Sequence, residues 1–280
     1  MRRWPCLAAA LLALAELVPM PAASAGSALP APAHIVVVLE ENKPGSAVVG
    51  NKAAPYINAL ANSGANMTQS FAETHPSEPN YLALFSGNTF GLTSDACPVN
   101  AGAAPNLASE LLAAGYTFGG FSEDIPAVGS PVCSAGKYAR KHVPWVNFTN
   151  VPAATSVPFS AFNSRTDYAS LPTVSFVIPN LDNDMHDGTI AQADTWLFDN
   201  LSHYANWAVA NNSLLIISFD EDDGGSKNQI PTVIYGGHVK PGSYSEPISH
   251  YNVLATIEEM YGLPKTGLAA NAPAISDIWA

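Results

Sequence analysis

The sequence is poor in charge, and poorest in positive charge. Only 12% of its 280 residues are charged, 11 basic against 23 acidic, for a formal net charge of −12. That balance argues against a nucleic-acid-binding module, which needs a basic surface to offset phosphate charge. It does not exclude a small phosphorylated substrate, because a bound cation reverses the local sign. Cysteine is scarce: Cys6, Cys97 and Cys133, with no CxxC pair and no Cys/His ladder of zinc-knuckle type. Beyond the first twenty residues no segment reaches about 18 consecutive apolar residues, so no internal membrane-spanning helix is expected. GxSxG, a Walker loop, GxGxxG and HExxH are all missing, which disfavours a serine esterase by motif. There is no internal repeat.

What is present starts with a leader. Arg2 and Arg3 precede an apolar run from Cys6 to Leu17, and "PAASAG" offers a small-residue cleavage site after Ala25. Residues 1–25 are therefore expected to be a removed signal peptide, with no stable membrane anchor and an exported product. Removing Arg2, Arg3 and Glu16 leaves 9 basic and 22 acidic residues, a net charge of −13. Residues 26–33, "GSALPAPA", are expected to be a mobile lead-in, and residues 34–280 a single domain. Cys97 and Cys133 remain as an even pair in an exported chain, so a disulfide between them is expected.

Hydrophobic patterning alternates strands with helices. "HIVVVLEEN" has the unbroken β-branched run of a buried parallel strand. "AAPYINALANSG" reads as a helix stopped at Gly64, "MTQSFAE" as a short strand, and "SEPNYLALFSG" as a helix with Ser77 at or near its N-cap. "PNLASELLAAGY" reads as a helix and "TFGGFSED" as a strand. From Ile125 to Thr173 the chain is rich in Pro, Ser and aromatics and reads as a long insertion with few regular elements. "TVSFVIPN", "SLLIISF" and "PTVIYG" are strands. Ile190, Ala193, Leu197, Leu201, Tyr204 and Ala208 share one helical face. "YNVLATIEEMYGLP" is a closing helix. The pattern predicts an α/β sandwich with a largely parallel central sheet.

In such sheets ligands sit at the carboxyl ends of strands. Four polar clusters fall there: Glu40 to Asn42, Thr74 to Ser77, Asp182 to Asp187, and Asp220 to Asp223. Asp220 and Glu221 follow an apolar run directly, and a divalent cation would relieve their mutual repulsion. Glu41 and Asn42 could bind the same ion. Glu40 reads as a surface acid, Lys43 as a partner for Glu40 or a phosphate, and Asp222 and Asp223 as turn residues. Ser77 is a helix cap on the ordinary reading. Beside a metal it is instead an activated hydroxyl suited to covalent phosphoryl transfer. His75, His186 and His250 lie in polar turns and could bind phosphate oxygens or protonate a leaving group. Asp184 could orient His186 or form part of a second half-site, and Asp187 reads as a helix cap. His34, His142, His203 and His238 have no acid cluster beside them and read as structural.

"THPSEPNYLALFSG", "IPNLDNDMHDG", "SFDEDDGGSKNQIPTVIYGGHVKPGSY" and "SHYNVLATIEEMYGLPKTG" together resemble the phosphoesterase family of bacterial acid phosphatases and phospholipases C, within the alkaline-phosphatase-like superfamily. The resemblance covers nearly all of the chain after Ala33. It implies an alkaline-phosphatase-like sandwich with helices on both faces of the sheet. It also implies a Ser or Thr nucleophile ten residues before a Gly that follows Ser or Thr; counting back from Gly87 reaches Ser77. The family's metal-binding Glu-Asn pair falls on Glu41 and Asn42, its later acidic pair on Asp220 and Glu221, and its phosphate-side histidine on His186. His250 matches only by its place before the last helix, and His75 only by adjacency to the nucleophile. A fuller Asp/His second site, as two-metal relatives carry, is not found, so one divalent ion is expected, held by Glu41, Asn42, Ser77, Asp220 and Glu221. The implied activity is hydrolysis of phosphate monoesters on small phosphorylated substrates or phosphoinositide headgroups. A phospholipase C-like phosphodiesterase and a non-catalytic phosphate- or metal-binding protein are the alternatives.

Overall fold

The computed structural model describes residue 1, residues 29–163 and residues 167–280. Residues 2–25 of the expected leader lie outside them. The described part of the lead-in is tied down: Ala33 N–H donates to Asn212 O (2.6 Å), Asn212 Nδ2 to Ala31 O (3.0 Å) and Tyr261 OH to Pro32 O (3.1 Å). The expected mobility does not extend to these residues, because their backbone groups have found partners on the domain.

The chain runs through β1 (His34–Glu40), α1 (Gly45–Val48), α2 (Pro55–Ser63), β2 (Ala65–Met67), β3 (Ser70–Phe71), α3 (Ser77–Ser86), α4 (Leu107–Ala113) and β4 (Phe118–Ser122). A hairpin of β5 (Ser134–Ala135) and β6 (Tyr138–Ala139) follows, then β7 (Ser156–Pro158), α5 (Ser160–Asn163) and β8 (Val174–Ile178). The last part comprises α6 (Ile190–Ala210), β9 (Ser213–Phe219), β10 (Thr232–Gly236), β11 (Gly242–Tyr244), β12 (Ile248–Ser249) and α7 (His250–Met260).

Eight strands form one sheet in the order β11-β2-β10-β9-β1-β8-β4-β7. Only β10 runs against its neighbours; the other pairings are parallel. β1 lies between β8 and β9, both parallel to it, which is why Ile35 to Leu39 carry no polar break. On one face Ile35, Val37 and Leu39 pack with α3, α4 and α7; on the other, Val36 and Val38 pack with α2 and α6. Helices on both faces of a mostly parallel sheet are the architecture that the alternation predicts. "MTQSFAE" is two strands and not one. After Met67 the chain leaves the large sheet, and β3 pairs with β12 instead.

The 125–173 segment is largely irregular, as its composition predicts, but it is anchored. β7 extends the sheet beside β4. Trp145 and Phe148 enter an aromatic cluster with Phe85, Phe118 and Phe176, at centroid distances such as 5.8 Å for Phe118–Trp145 and 5.6 Å for Phe85–Phe148. Each such buried ring contributes about 2–3 kcal/mol, enough to fix the 3-10 turn Arg140–His142 just before it. Cys97 and Cys133 are disulfide-bonded, closing a separation of 36 residues.

Candidate active site

The parallel strands β1, β8 and β9 end on one edge of the sheet, and α3 begins there. Glu41 and Asn42 follow β1, the loop 179–189 follows β8, and Asp220 and Glu221 follow β9. The loop after β8 folds over the end of β1, where Glu41 N–H donates to Asp184 O (2.7 Å).

Ser77 is not a cap. The N-cap of α3 is Pro76, and no side chain caps the helix. Ser77 is buried, and its Oγ lies 3.1 Å from Glu41 Oε2 and 3.1 Å from Glu221 Oε1. A hydroxyl has one proton, so it can donate to only one of them at a time; the other contact sets oxygen against oxygen. Asn42 N–H donates to Asp220 Oδ1 (3.0 Å), while Asn42 Oδ1 and Asp220 Oδ2 are buried without partners. Burial pushes the Asp220 carboxyl up to about 7 and raises those of Glu41 and Glu221. An all-oxygen set with crowded carboxylates and orphaned lone pairs suits a hard divalent cation. Glu41, Asn42, Ser77, Asp220 and Glu221 thus bring to one place the oxygen donors that such an ion takes.

Glu221 joins two functional groups. Its Oε2 is hydrogen-bonded to His75 Nδ1, and its Oε1 faces Ser77. Burial alone would lower the His75 imidazole, but the Glu221 contact outweighs it and the net shift is upward, toward the cation. His75 remains partly exposed at the mouth of the site. His186 is placed at the rim: Nδ1 is 2.9 Å from Asp187 Oδ1, and Nε2 is 3.4 Å from Lys141 Nζ. Asp184 Oδ1 accepts from the His186 backbone N–H (2.8 Å) and so fixes the main chain there, while the ring is oriented by Asp187 and not by Asp184.

Other expectations are corrected. His250 is 1% exposed, and its Nε2 is engaged by Phe219 O at 2.9 Å. It supports the end of β9 from behind through that carbonyl, in place of the expected role as a proton donor. Glu40 is fully buried, with both carboxylate oxygens unpartnered, and burial raises its carboxyl well above the usual range. It is not a surface acid, because the β8 loop covers the strand end. Lys43 pairs with neither Glu40 nor an open phosphate position; Nζ donates to the carbonyls of Asn42 (3.2 Å) and Met185 (3.1 Å). Asp187 does not cap α6, whose N-cap is Thr189; it pairs with His186 and Lys137 instead. Asp222 does serve its turn, accepting from Gly224 N–H and Gly225 N–H.

Sequence reasoning missed His142, Tyr81 and Lys141. His142 is buried between two acids, Nε2 3.1 Å from Glu41 Oε1 and Nδ1 3.3 Å from Asp184 Oδ2. Glu41, His142 and Asp184 form a buried group able to hold a metal ion. Burial holds this imidazole well below its usual range. Tyr81 OH donates to Glu41 Oε1, and its ring stacks on His142 at 5.0 Å and 7°. Lys141 lies beside this group, close enough for Glu41 and Asp220 to favour its charge. His142 and Lys141 sit in the irregular segment, with no local acid in the sequence to mark them. Tyr81 looked like one more apolar position of α3.

Residues 49–264 match the model of the phosphoesterase family. A phosphatidylinositol-3-phosphatase from Mycobacterium tuberculosis is 71% identical over 255 residues, 91% of this chain and 85% of that protein. A phosphate-repressible acid phosphatase from Penicillium chrysogenum is 31% identical over 75% of this chain, which spans only 55% of the fungal protein. Among solved structures, an alkaline phosphatase superfamily protein from Vibrio parahaemolyticus has a TM-score of 0.61 at 14% identity, covering 90% of this chain and 72% of that one. A lipoteichoic acid synthase from Listeria monocytogenes has a TM-score of 0.60 at 12% identity, covering 85% and 74%. These structural likenesses carry the fold, and with the sequence matches they make one statement: the chain belongs to the phosphoesterase family.

Proposed function

We propose that the protein is an exported phosphomonoesterase that works through a phosphoserine at Ser77. One observation carries the reading: the first residue of α3 is a serine that caps nothing and whose hydroxyl faces two carboxylates instead. A divalent cation held by Glu41, Asn42, Ser77, Asp220 and Glu221 would supply the positive charge that favours the deprotonated Ser77 oxygen.

The chain's own groups account for the proton movements. Ser77 Oγ gives its proton to the Glu221 carboxylate and bonds to phosphorus as the P–O bond to the departing alcohol breaks. His75, held by Glu221 at Nδ1, gives its Nε2 proton to that alcohol. Water then attacks the phosphoserine and returns a proton to His75, and Glu221 returns the proton to Ser77 as phosphate leaves. Lys141 and His186, side by side at the rim, would face the phosphate oxygens.

The 71% identical relative bears the name phosphatidylinositol-3-phosphatase, and we take a monophosphate on an inositol headgroup as the substrate class. Export rests on the leader pattern and on the Cys97–Cys133 disulfide, which belongs to an oxidising compartment. Among the described residues no helix is long and apolar enough to cross a membrane.

The test compares p-nitrophenyl phosphate with bis-p-nitrophenyl phosphate, using the wild type and Ser77→Ala. Monoester cleavage that falls at least about 10³-fold in the variant is expected. Preference for the diester, or wild-type turnover in Ser77→Ala, would overturn the reading.

A further inference from the structure

Asp95 is partly buried and uses both of its carboxylate oxygens. Oδ1 accepts from the backbone N–H of Glu78 (2.9 Å), the residue after Ser77, and Oδ2 accepts from Lys141 Nζ (2.8 Å). One side chain thus joins the first turn of the serine helix to a lysine on the irregular 125–173 segment. Lysine has a long flexible stem and a compact charge, so without an anchor its ammonium group samples many positions. Here it is held in one, 3.4 Å from His186 Nε2 and within the influence of Glu41 and Asp220.

The disulfide braces the same contact. Cys97 stands two residues beyond Asp95 and is bonded to Cys133. Cys133 O in turn accepts from Arg140 N–H (3.0 Å), next to Lys141, and Arg140 Nη1 donates to Pro131 O (2.8 Å). The segment carrying Asp95 and the segment carrying Lys141 are therefore fastened covalently close to where their side chains meet. No regular element spans residues 88–106. This bond joins the packing of Leu92 and Val99 on the core in fixing where Asp95 sits.

We propose that Asp95 is a positioning residue, braced by Cys97–Cys133, that holds the Lys141 ammonium beside Ser77 for contact with phosphate oxygens. The inference rests on the site assignment above, but phosphate binding does not require turnover, so the two can fail separately. A single half-buried pair of this kind is expected to matter less for stability than for geometry, and substrate binding is where it registers.

The test measures the Kd of inorganic phosphate by calorimetry on the cation-loaded protein, together with kcat and KM for p-nitrophenyl phosphate. The variants are Asp95→Asn, Lys141→Met, the double variant, and Cys97→Ser with Cys133→Ser. Asp95→Asn keeps an acceptor for the Glu78 N–H and removes the charge that holds Lys141. It is expected to weaken phosphate about tenfold and raise KM by a similar factor, with kcat changed less than about threefold. In the Lys141→Met background the same substitution is expected to add nothing. The cysteine double variant is expected to weaken phosphate in the same direction and to leave its KM insensitive to reductant. An unchanged Kd in Asp95→Asn, or an equal further loss on top of Lys141→Met, would overturn the proposal. If Asp95→Asn does not fold, the cysteine double variant decides: an unchanged phosphate Kd there also overturns it. If the wild type binds phosphate in this Asp95-dependent way but cleaves no monoester, the proposed function fails and the positioning role stands.

Discussion

Ser77 and Glu41 are 36 residues apart in sequence, on different elements, and their side chains meet at 3.1 Å with Glu221 at the same distance on the other side. Two carboxylates and a hydroxyl packed this closely, with Asp220 behind them, form a cluster that repels itself when empty. A cation that binds the folded protein only should stabilise it by about 2.7 kcal/mol at a hundredfold excess over its Kd. In a chain of this size that is about 5–10 °C of unfolding midpoint. Chelator treatment followed by calorimetric melting checks this. Asp220→Asn is expected to melt higher than the wild type in chelator and to gain less from added cation. A midpoint indifferent to both chelator and cation would sink the ion site.

Tyr81 offers a narrower test of how Glu41 is oriented. Its hydroxyl donates to Glu41 Oε1, while its ring stacks on His142. Tyr81→Phe keeps the stacking and removes only the donor. Partners one step behind the ligands commonly change metal affinity or activity by about 10–100-fold. A loss in that range is expected in cation titrations and in kcat/KM, with the far-ultraviolet circular dichroism of the fold unchanged. Wild-type affinity in this variant would make the hydroxyl a purely structural contact.

The residues that the structure gathers where the sequence expected them share a local signature. Glu41, Asn42, Asp220 and Glu221 stand within three residues of the end of an apolar run, so the strand itself brings them to one edge. Ser77 starts a helix that Gly87 ends. What was not legible depends on distant packing. His142 and Lys141 are held at the site because Trp145 and Phe148 plug into the core a few residues later, and no periodicity announces that. Glu40 and Glu41 are adjacent acids, yet strand alternation sends their side chains to opposite sides, and the depth at which each is buried is set by the loop carrying Asp184. His250 looked like its neighbours in polarity; only the carbonyl of Phe219 shows that it faces inward.

Glu258 gives a pH dependence remote from the site. Its Oε1 accepts from Thr266 N–H (3.0 Å) and Oγ1 (2.6 Å), while Oε2 is buried without a partner. Burial pushes its carboxyl from 4.5 up to about 7. The folded state therefore holds this proton more tightly than the unfolded chain. Above about pH 7 the group is charged in both states and the penalty is full; as pH falls from about 7 to 4.5 stability rises, by on the order of 3 kcal/mol. Glu258→Gln removes the titration. Urea melts of both proteins between pH 4.5 and 8 should show their difference widening as pH rises, in favour of the variant. A constant difference across that range would mean that Glu258 titrates alike in both states.

Gly87 and Gly91 separate the cost of a backbone conformation from the cost of crowding. Both have φ of +67°, in the left-handed region that side chains rarely adopt. A Cβ at Gly91 would meet nothing within 4 Å, whereas at Gly87 it would stand 2.2 Å from Thr266 O and 2.9 Å from Thr266 C. Those are backbone atoms of a turn held in place by Ala269 N–H to Thr266 O (3.0 Å) and Leu268 N–H to Gly87 O (2.7 Å), so they cannot swing aside. Gly91→Ala is expected to cost about 1 kcal/mol, the price of the conformation alone. Gly87→Ala must also move the segment that follows α7, and is expected to cost about 3 kcal/mol or more. Denaturant midpoints of the two variants, measured side by side, check the contrast. Because Gly87 ends the helix that Ser77 begins, the same variant should lose turnover under conditions where Gly91→Ala keeps it; equal costs at the two positions would mean that the Thr266 backbone yields, and that the far end of α3 is less rigidly held than its contacts indicate.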